Sequence, residues 1–333
     1  MRIEKKFVLL AIVITVISVS YGYLDWAQYH GAYLDIAPIV CNLRLHGGLY
    51  APDQYRIGVW TIACAAYSRA HLHLWLALTL IDVIALWLTL GCLAWLLVEN
   101  PLYLHMGDSA RLLSFCGMFL MVAYVLPWGH WFQYAETMVS SLYVAINMLL
   151  VQRKLLQNRI LVGGIILVCS VLQGFVRADV AVLLHAGFLL AVLLPFAQDV
   201  PLGRYQQAAI SALSALCAGC VQLYLMRIRF PETKFWVKVF MAWDNLHPFQ
   251  WGTVLIALLP YWMLLAFVLR RRYRPDATTF MLLVSSVLYF CVWFVIGLLD
   301  EVRVFFPFCL TLLPTAAVLF VTQVDTEWQR GSA

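Results

Sequence analysis

The stretch Tyr21–Arg69 carries the side chains best suited to chemistry, because acids and bases gather there while most of the remaining chain is apolar. Three aspartates, three arginines and two histidines fall within it: Asp25, Asp35, Asp53, Arg44, Arg56, Arg69, His30 and His46. Arginine binds phosphate through paired hydrogen bonds, and a carboxylate can take a proton from a hydroxyl group or help to hold a divalent cation. At a membrane surface, this combination suits a reaction between a phosphate-bearing lipid and a polar acceptor.

The composition indicates a membrane protein. Of the 333 residues, 64% are hydrophobic and 12% are charged, and the mean hydropathy is +0.85. Soluble domains carry about 25% charged residues. Apolar runs of about 18–22 residues recur, which is the length an α-helix needs to cross a bilayer, and the alternation of a membrane β-barrel is missing. The sequence therefore excludes a soluble globular domain, and its net charge of +5 gives no sign of a nucleic-acid partner.

The apolar runs predict an all-α polytopic membrane protein with about ten transmembrane helices in a single domain over residues 1–333. The predicted spans are 7–23, 72–98, 111–128, 137–151, 160–175, 180–197, 205–226, 252–269, 278–298 and 304–322. Each run is bounded by charged or turn-forming residues, and these set the limits of the spans.

Basic residues set the orientation. The clusters at 2–6, 153–159 and 270–274 fall on one side of the predicted topology, and the positive-inside rule makes that side cytoplasmic. Both termini, including the tail 323–333, are then expected in the cytoplasm. The segment 24–69 becomes a long first extracytoplasmic loop.

Further charged residues of interest lie within a predicted span or on the predicted outer side. Asp82 interrupts an apolar run, and an intramembrane carboxylate either has a function or bonds to a neighbouring helix. Arg177 and Asp179 lie in a very short connection, where they either pair or reach into a cavity. Lys234 and Lys238 are four residues apart, which fits either an interfacial helix that binds an anionic lipid head group or a solvated helix face.

Three short motifs carry a family resemblance. They are LYAPDQYRI at Leu49–Ile57, VRAD at Val176–Asp179 and EVRVF at Glu301–Phe305. They are similar to the G-x-P-Y-x-Y-R, N-R-E-T and E-x-R-x-F motifs of bacterial GT-C-like proteins. A first helix followed by a long outer loop, with an aspartate (here Asp25) just past the helix, also resembles the GT-C superfamily of membrane glycosyltransferases.

The resemblance implies a GT-C-like fold in a bacterial inner membrane and transfer of a sugar from a polyprenyl-phosphate donor to an acceptor on the outer face. The implied site residues are Asp25, with Asp35 or Asp53 as second choices, for the general base; Arg56, Arg177 and Arg303 for the phosphate; and Glu301 for orienting one arginine. A divalent cation, Mg²⁺ or Mn²⁺, is a possible cofactor.

Two other classes of function stay open. An accessory or scaffold subunit of a larger membrane complex would fit the high aromatic content of 14% and would have membrane protein partners. A lipid or solute transporter would fit a midplane charge such as Asp82, although we find no internal repeat.

The chain departs from the GT-C pattern in the spacing of its first acids. Several GT-C enzymes have adjacent acids in the first loop, whereas Asp25 and Asp35 are ten residues apart.

Overall fold

The computed structural model describes residues 2–33, 36–128, 135–152, 156–194, 200–234, 240–270, 273–299 and 301–331. The predicted all-α architecture is confirmed over these ranges, which contain no strand. The helices are α1 Arg2–Tyr33, α2 Ala37–His46, α3 Ile57–Ala70, α4 Leu74–Val98, α5 Pro101–Leu104, α6 Asp108–Val125, α7 Glu136–Val151, α8 Arg159–Leu193, α9 Arg204–Tyr224, α10 Ala242–Asn245, α11 Pro248–Ala257, α12 Leu259–Leu269, α13 Ala277–Ile296 and α14 Phe306–Gly331.

Within the described ranges, seven helices are long and apolar enough to cross a membrane, or eight if α11 and α12 form one span broken by an 87° bend. This count does not confirm the predicted number of about ten. The most apolar stretch of α14 is 89% buried, against 22–50% for the other six helices, so α14 is the central helix. Helix α1 instead exposes Leu9, Ile12, Val16 and Val19, as expected for a face in contact with lipid.

Helix α8 is a hairpin rather than one straight rod. Arg177, with φ −154° and ψ 89°, is its one non-helical residue. The hydroxyl oxygen of Ser170 lies 3.1 Å from Nε2 of His185, although a straight helix would separate these residues by about 22 Å. Arg159 and Val192, near the two ends of α8, both contact the first turn of α9. The chain therefore reverses at Arg177, and its two arms lie side by side.

The reversal brings the functional groups to one end of the bundle, which we call the charged end. It contains the second half of α1, the N-terminal third of α4, the first turn of α7, the turn of α8, the second half of α13 and the short turn just before α14. At the opposite end, Gln152 after α7 donates a hydrogen bond to Thr278 of α13, at 3.1 Å. We call this the cavity end, for the cavity described below.

Two predicted boundaries are wrong. The first helix does not end at residue 23 but continues to Tyr33, and a second helix, α2, follows it within the expected loop. The chain from residue 25 to 33 has no proline to stop the helix. The last helix does not end at residue 322 either, because α14 continues to Gly331.

Candidate functional site at the charged end

The innermost part of the site is the contact between α1 and α4. Gly22 makes it possible, because a Cβ atom at this position would overlap the side chain of Val83. Asp25 lies one turn further along the same face of α1 and is thereby brought beside Asp82 of α4. The hydroxyl group of Tyr29 donates a hydrogen bond to Oδ2 of Asp82, at 2.9 Å.

The position of Asp25 corrects the sequence analysis. The aspartate was expected just past the end of the first helix, in an open loop, but it lies within α1 and is 0% exposed. Tyr21 and Tyr29, one turn to either side of it, are buried as well. Neither carboxyl oxygen of Asp25 receives a hydrogen bond from an N–H donor or a hydroxyl group in the described residues.

The first loop is fastened to this region by α2 and α3. A disulfide between Cys41 and Cys64 joins the two helices. Nε1 of Trp60, on α3, donates a hydrogen bond to Oε1 of Glu136 at the start of α7, at 2.9 Å. The guanidinium of Arg44 stacks on the Trp60 ring, 4.4 Å from its centre. The loop is thus a packed layer that brings its own charges to the membrane helices.

The turn that connects α2 to α3 contains Asp53 and Arg56. Their side chains pair at 3.6 Å, and the backbone oxygen of Asp53 accepts a hydrogen bond from Nη1 of Arg44, at 2.8 Å. Burial raises the pKa of the neighbouring Tyr55 phenol. Its hydroxyl group therefore keeps its proton at neutral pH and remains able to donate a hydrogen bond.

A second group of charges lies at the turn of α8. Nη2 of Arg177 and Oδ2 of Asp179 are 2.6 Å apart, so of the two alternatives from the sequence, the structure has the pair. Tyr289 of α13 bonds to both side chains and donates to Oδ2 of Asp179 at 2.9 Å. The charges of Arg56 and Glu136 act on the same pair, which joins this turn to the first loop and to α7.

Arg303 completes the site from the short turn just before α14. Its Nη2 lies 3.3 Å from Oε2 of Glu301. Arg303 is also close to the Tyr21 side chain of α1. Residues from both ends of the chain therefore meet here.

Exposure divides the site into a floor and a rim. The floor carboxyl residues Asp25, Asp82 and Glu136 are 0–2% exposed. The rim side chains Asp53, Arg56, Asp179 and Glu301 are 28%, 15%, 30% and 32% exposed. A polar ligand that approaches the charged end therefore meets the rim first.

Most of the residues singled out in the sequence share this region: Asp25, Asp53, Arg56, Arg177, Glu301 and Arg303. Asp35 and Lys238 lie outside the described residues. Lys234 is exposed and lies outside the helices, which differs from the expected interfacial helix carrying both lysines. Its backbone oxygen instead accepts a hydrogen bond from the backbone N–H of Ala51.

Sequence reasoning missed the tyrosines and the disulfide. Tyr29 bonds to the buried Asp82 and Tyr289 bonds to Asp179 on the rim, but a tyrosine in an apolar helix resembles ordinary core packing. For Tyr289 a weak signal existed, since Ser285 and Ser286 stand one turn earlier on α13. Cys41 and Cys64 lie 23 residues apart among nine cysteines, and their spacing alone does not predict a pair.

The expected divalent cation has limited support from the donor atoms. In the part of the chain that the structure describes, no three His, Cys, Asp or Glu side chains converge to hold a metal ion. Mg²⁺ is often bound by only one or two protein carboxylates together with substrate phosphate and water. The cation therefore stays a prediction.

A cavity of about 630 Å³ lies at the other end of the bundle. Its wall combines polar groups with prolines, among them Glu99, Asn100, Gln152, Asp276, Thr279 and Pro314. Its volume is within the range of small-molecule sites. It is separated from the charged end by the length of α7.

No family model matches the chain, and neither a curated protein nor a solved structure matches it. The resemblance carried by the three short motifs therefore stays a prediction. What can be argued about function depends on the geometry of the charged end.

Proposed function

We propose that the protein is a membrane glycosyltransferase that moves a sugar from a polyprenyl-phosphate donor to an acceptor hydroxyl group on the outer face of a bacterial inner membrane. One observation carries the proposal. Asp25, Arg56, Arg177 and Arg303 are spread over most of the sequence, yet they lie in one cluster of acids and arginines at one end of the bundle. Arginines suited to phosphate and carboxylates suited to proton removal are the two components that such a reaction needs.

The reaction is a displacement at the anomeric carbon of the sugar. A carboxylate takes the proton of the acceptor hydroxyl group while the oxygen of that hydroxyl group forms a bond to the anomeric carbon. The bond from the carbon to the phosphate oxygen breaks, and its electron pair leaves with polyprenyl phosphate. Arg56, Arg177 and Arg303 would stabilise the charge that develops on the phosphate. The products are a glycosylated acceptor, polyprenyl phosphate and one proton.

Asp25 remains our choice for the base, but its burial adds a requirement. An acceptor can reach this carboxyl group only when the side chains around it move, because it is 0% exposed. Asp53 is the accessible second choice on the rim, where Arg56 pairs with it. Asp35 remains a further candidate by sequence. Comparing variants of Asp25 and Asp53 separates a floor mechanism from a rim mechanism.

The proposal includes ten membrane crossings with both termini in the cytoplasm. The two arms of α8 would count separately, α7 would be a short span, and α11 with α12 would form one broken span. The Cys41–Cys64 disulfide supports an outer position for the first loop, since disulfides persist in oxidising compartments. Membrane lipid and the lipid-linked donor are the proposed partners.

The test follows loss of sugar from a panel of radiolabelled polyprenyl-phosphate sugars in membranes that contain the protein. Asp25→Asn keeps the shape of the side chain and should slow transfer by about 100-fold or more, the usual contribution of a general base. Asp108→Asn is the matched control, since this carboxylate is fully exposed at the start of α6, and its rate should stay at the wild-type level.

Two outcomes would revise the mechanism and a third would contradict the proposed function. Full activity of Asp25→Asn removes the floor mechanism, and loss of activity in Asp53→Asn alone would move the base to the rim. A wild-type protein that transfers none of the sugars, tolerates Asp25 and Arg56 replacement, and co-purifies with fixed partners would favour an accessory subunit.

A further inference from the structure

Helix α7 carries a line of buried polar residues that sugar transfer does not use. They recur every three or four positions and therefore share one face: Glu136, Ser140, Tyr143 and Asn147. Each is at most 6% exposed. Polar and ionisable groups within a membrane bundle are costly, and they commonly mark ion or proton routes.

The line begins at the charged end. The hydroxyl group of Ser140 donates to the backbone oxygen of Glu136 at 2.6 Å, and the amide of Gln173 donates to Ser140 at 2.7 Å. The same amide reaches the backbone oxygen of Arg177, at 3.2 Å. Through Gln173, the part of the line at Glu136 and Ser140 is thus connected to Arg177 at the turn of α8.

A compact cluster continues the line about one turn deeper. The Tyr143 hydroxyl lies 2.8 Å from the Ser170 hydroxyl and 2.8 Å from Nε2 of His185. Ser170 and His185 are themselves 3.1 Å apart and belong to opposite arms of α8. Hydroxyl and imidazole groups both give and accept protons, so this cluster can pass a proton between its members.

Three buried polar atoms along the line have no hydrogen-bonding partner in the described residues. They are Oε2 of Glu136, Nδ1 of His185 and Oδ1 of Asn147. Leaving such an atom without a partner costs about 1–3 kcal/mol. Buried water commonly satisfies such groups in proteins. Two of these atoms lie on α7 and the third lies on α8, and each is a position where we expect water along the line.

The line ends at the cavity described above. Met148, the residue after Asn147, lines that cavity, and so does Gln152. From Glu136 to Asn147 the line extends about 17 Å along α7, and the cavity wall at Gln152 is about 24 Å from Glu136, most of the thickness of a bilayer. It therefore joins an acidic cluster at one end of the bundle to a polar cavity at the other.

We propose that this line of side chains, with water at its three unpartnered atoms, conducts protons between the charged end and the cavity. A proton taken up at Glu136 passes through the cluster at Tyr143 and leaves through water beside Asn147 into the cavity. Only O–H and N–H bonds are made and broken, and each proton taken up is matched by one released. The proposal does not depend on the sugar-transfer reaction.

The test measures proton entry into liposomes that contain the protein and a trapped pH-sensitive dye. A potassium gradient with valinomycin supplies the driving voltage and the balancing charge. Wild-type protein should acidify the interior faster than protein-free liposomes do. Tyr143→Phe removes only the hydroxyl group that bridges Ser170 and His185, and it should slow the flux by about tenfold, which corresponds to one lost hydrogen bond.

Tyr261→Phe is the matched control. Tyr261 is also buried and bonds to a serine, Ser286 at 3.2 Å, but it lies on α12, away from the line. This variant should keep the wild-type flux, and both variants should keep the elution volume of the folded protein. Wild-type flux equal to that of protein-free liposomes would overturn the proposal. So would an equal effect of the two substitutions.

Discussion

Gly187 of α8 lies directly against Ser285 of α13, so that a Cβ atom on the glycine would overlap the backbone of the serine. The hydroxyl group of Ser285 also donates to the backbone oxygen of Leu184, at 2.8 Å. This close contact holds the second arm of α8 on α13. It thereby fixes the distance between Arg177 and Tyr289, whose side chains bond at the charged end.

Gly187→Ala should therefore separate the two helices. We expect it to lower the free energy of unfolding by about 1–3 kcal/mol, the usual cost of overpacking. The measurement is thermal unfolding in detergent. Gly91→Ala is the control, because a Cβ atom there meets nothing within 4 Å and alanine favours the helix. Equal effects of the two substitutions would mean that the contact is looser than described.

Removing one partner of the pair Arg177–Asp179 should destabilise the protein much more than removing one partner of a pair on the surface. Arg177 is 3% exposed, and Asp179→Asn would leave its charge buried with less compensation. Removing one partner of a buried ion pair costs about 3–5 kcal/mol. Asp108→Asn breaks the exposed pair with Arg111, at 3.9 Å, and should cost about 1 kcal/mol or less.

Chemical unfolding of both aspartate variants, combined in a double-mutant cycle with Arg177→Lys, measures the difference. A small effect of Asp179→Asn, equal to that of Asp108→Asn, would contradict the description of a buried pair. Because Tyr289 bonds to both charged side chains, Tyr289→Phe should weaken the coupling between them.

The disulfide should stabilise the first loop. Cys41→Ser opens a link across 23 residues, and we expect the free energy of unfolding to fall by about 2–4 kcal/mol. Cys116→Ser, at a free and exposed cysteine, should have little effect.

The same pair reports the orientation of the loop. A membrane-impermeant maleimide added to intact cells should label Cys41 and Cys64 only after reduction. Labelling before reduction would show that the cysteines are not linked. Failure to label after reduction, in a protein that unfolds normally, would place the loop on the cytoplasmic side.

The helical architecture was predictable because apolar runs of the right length are directly visible in the sequence. The position where α1 ends was not predictable, because the polar residues of its last turns resemble a loop until their packing against α4 is known. The candidate site was predictable only as a set of residue types. Its ion pairs are local, but the contacts that bring the helices together join distant residues, such as Tyr29 with Asp82, 53 positions apart, and Arg177 with Tyr289, 112 positions apart. No local pattern encodes such distant pairs.

The reversal of α8 at a single residue also bears on how the protein is made. Only one non-helical residue separates the two arms, so no loop connects them that could let the first arm settle in the membrane before the second arm is synthesised. Arg177 and Asp179, at the tip, would be exposed to lipid if the first arm entered the membrane by itself. We therefore expect the two arms to leave the insertion machinery together, with the charge of Arg177 already neutralised by Asp179 during biogenesis.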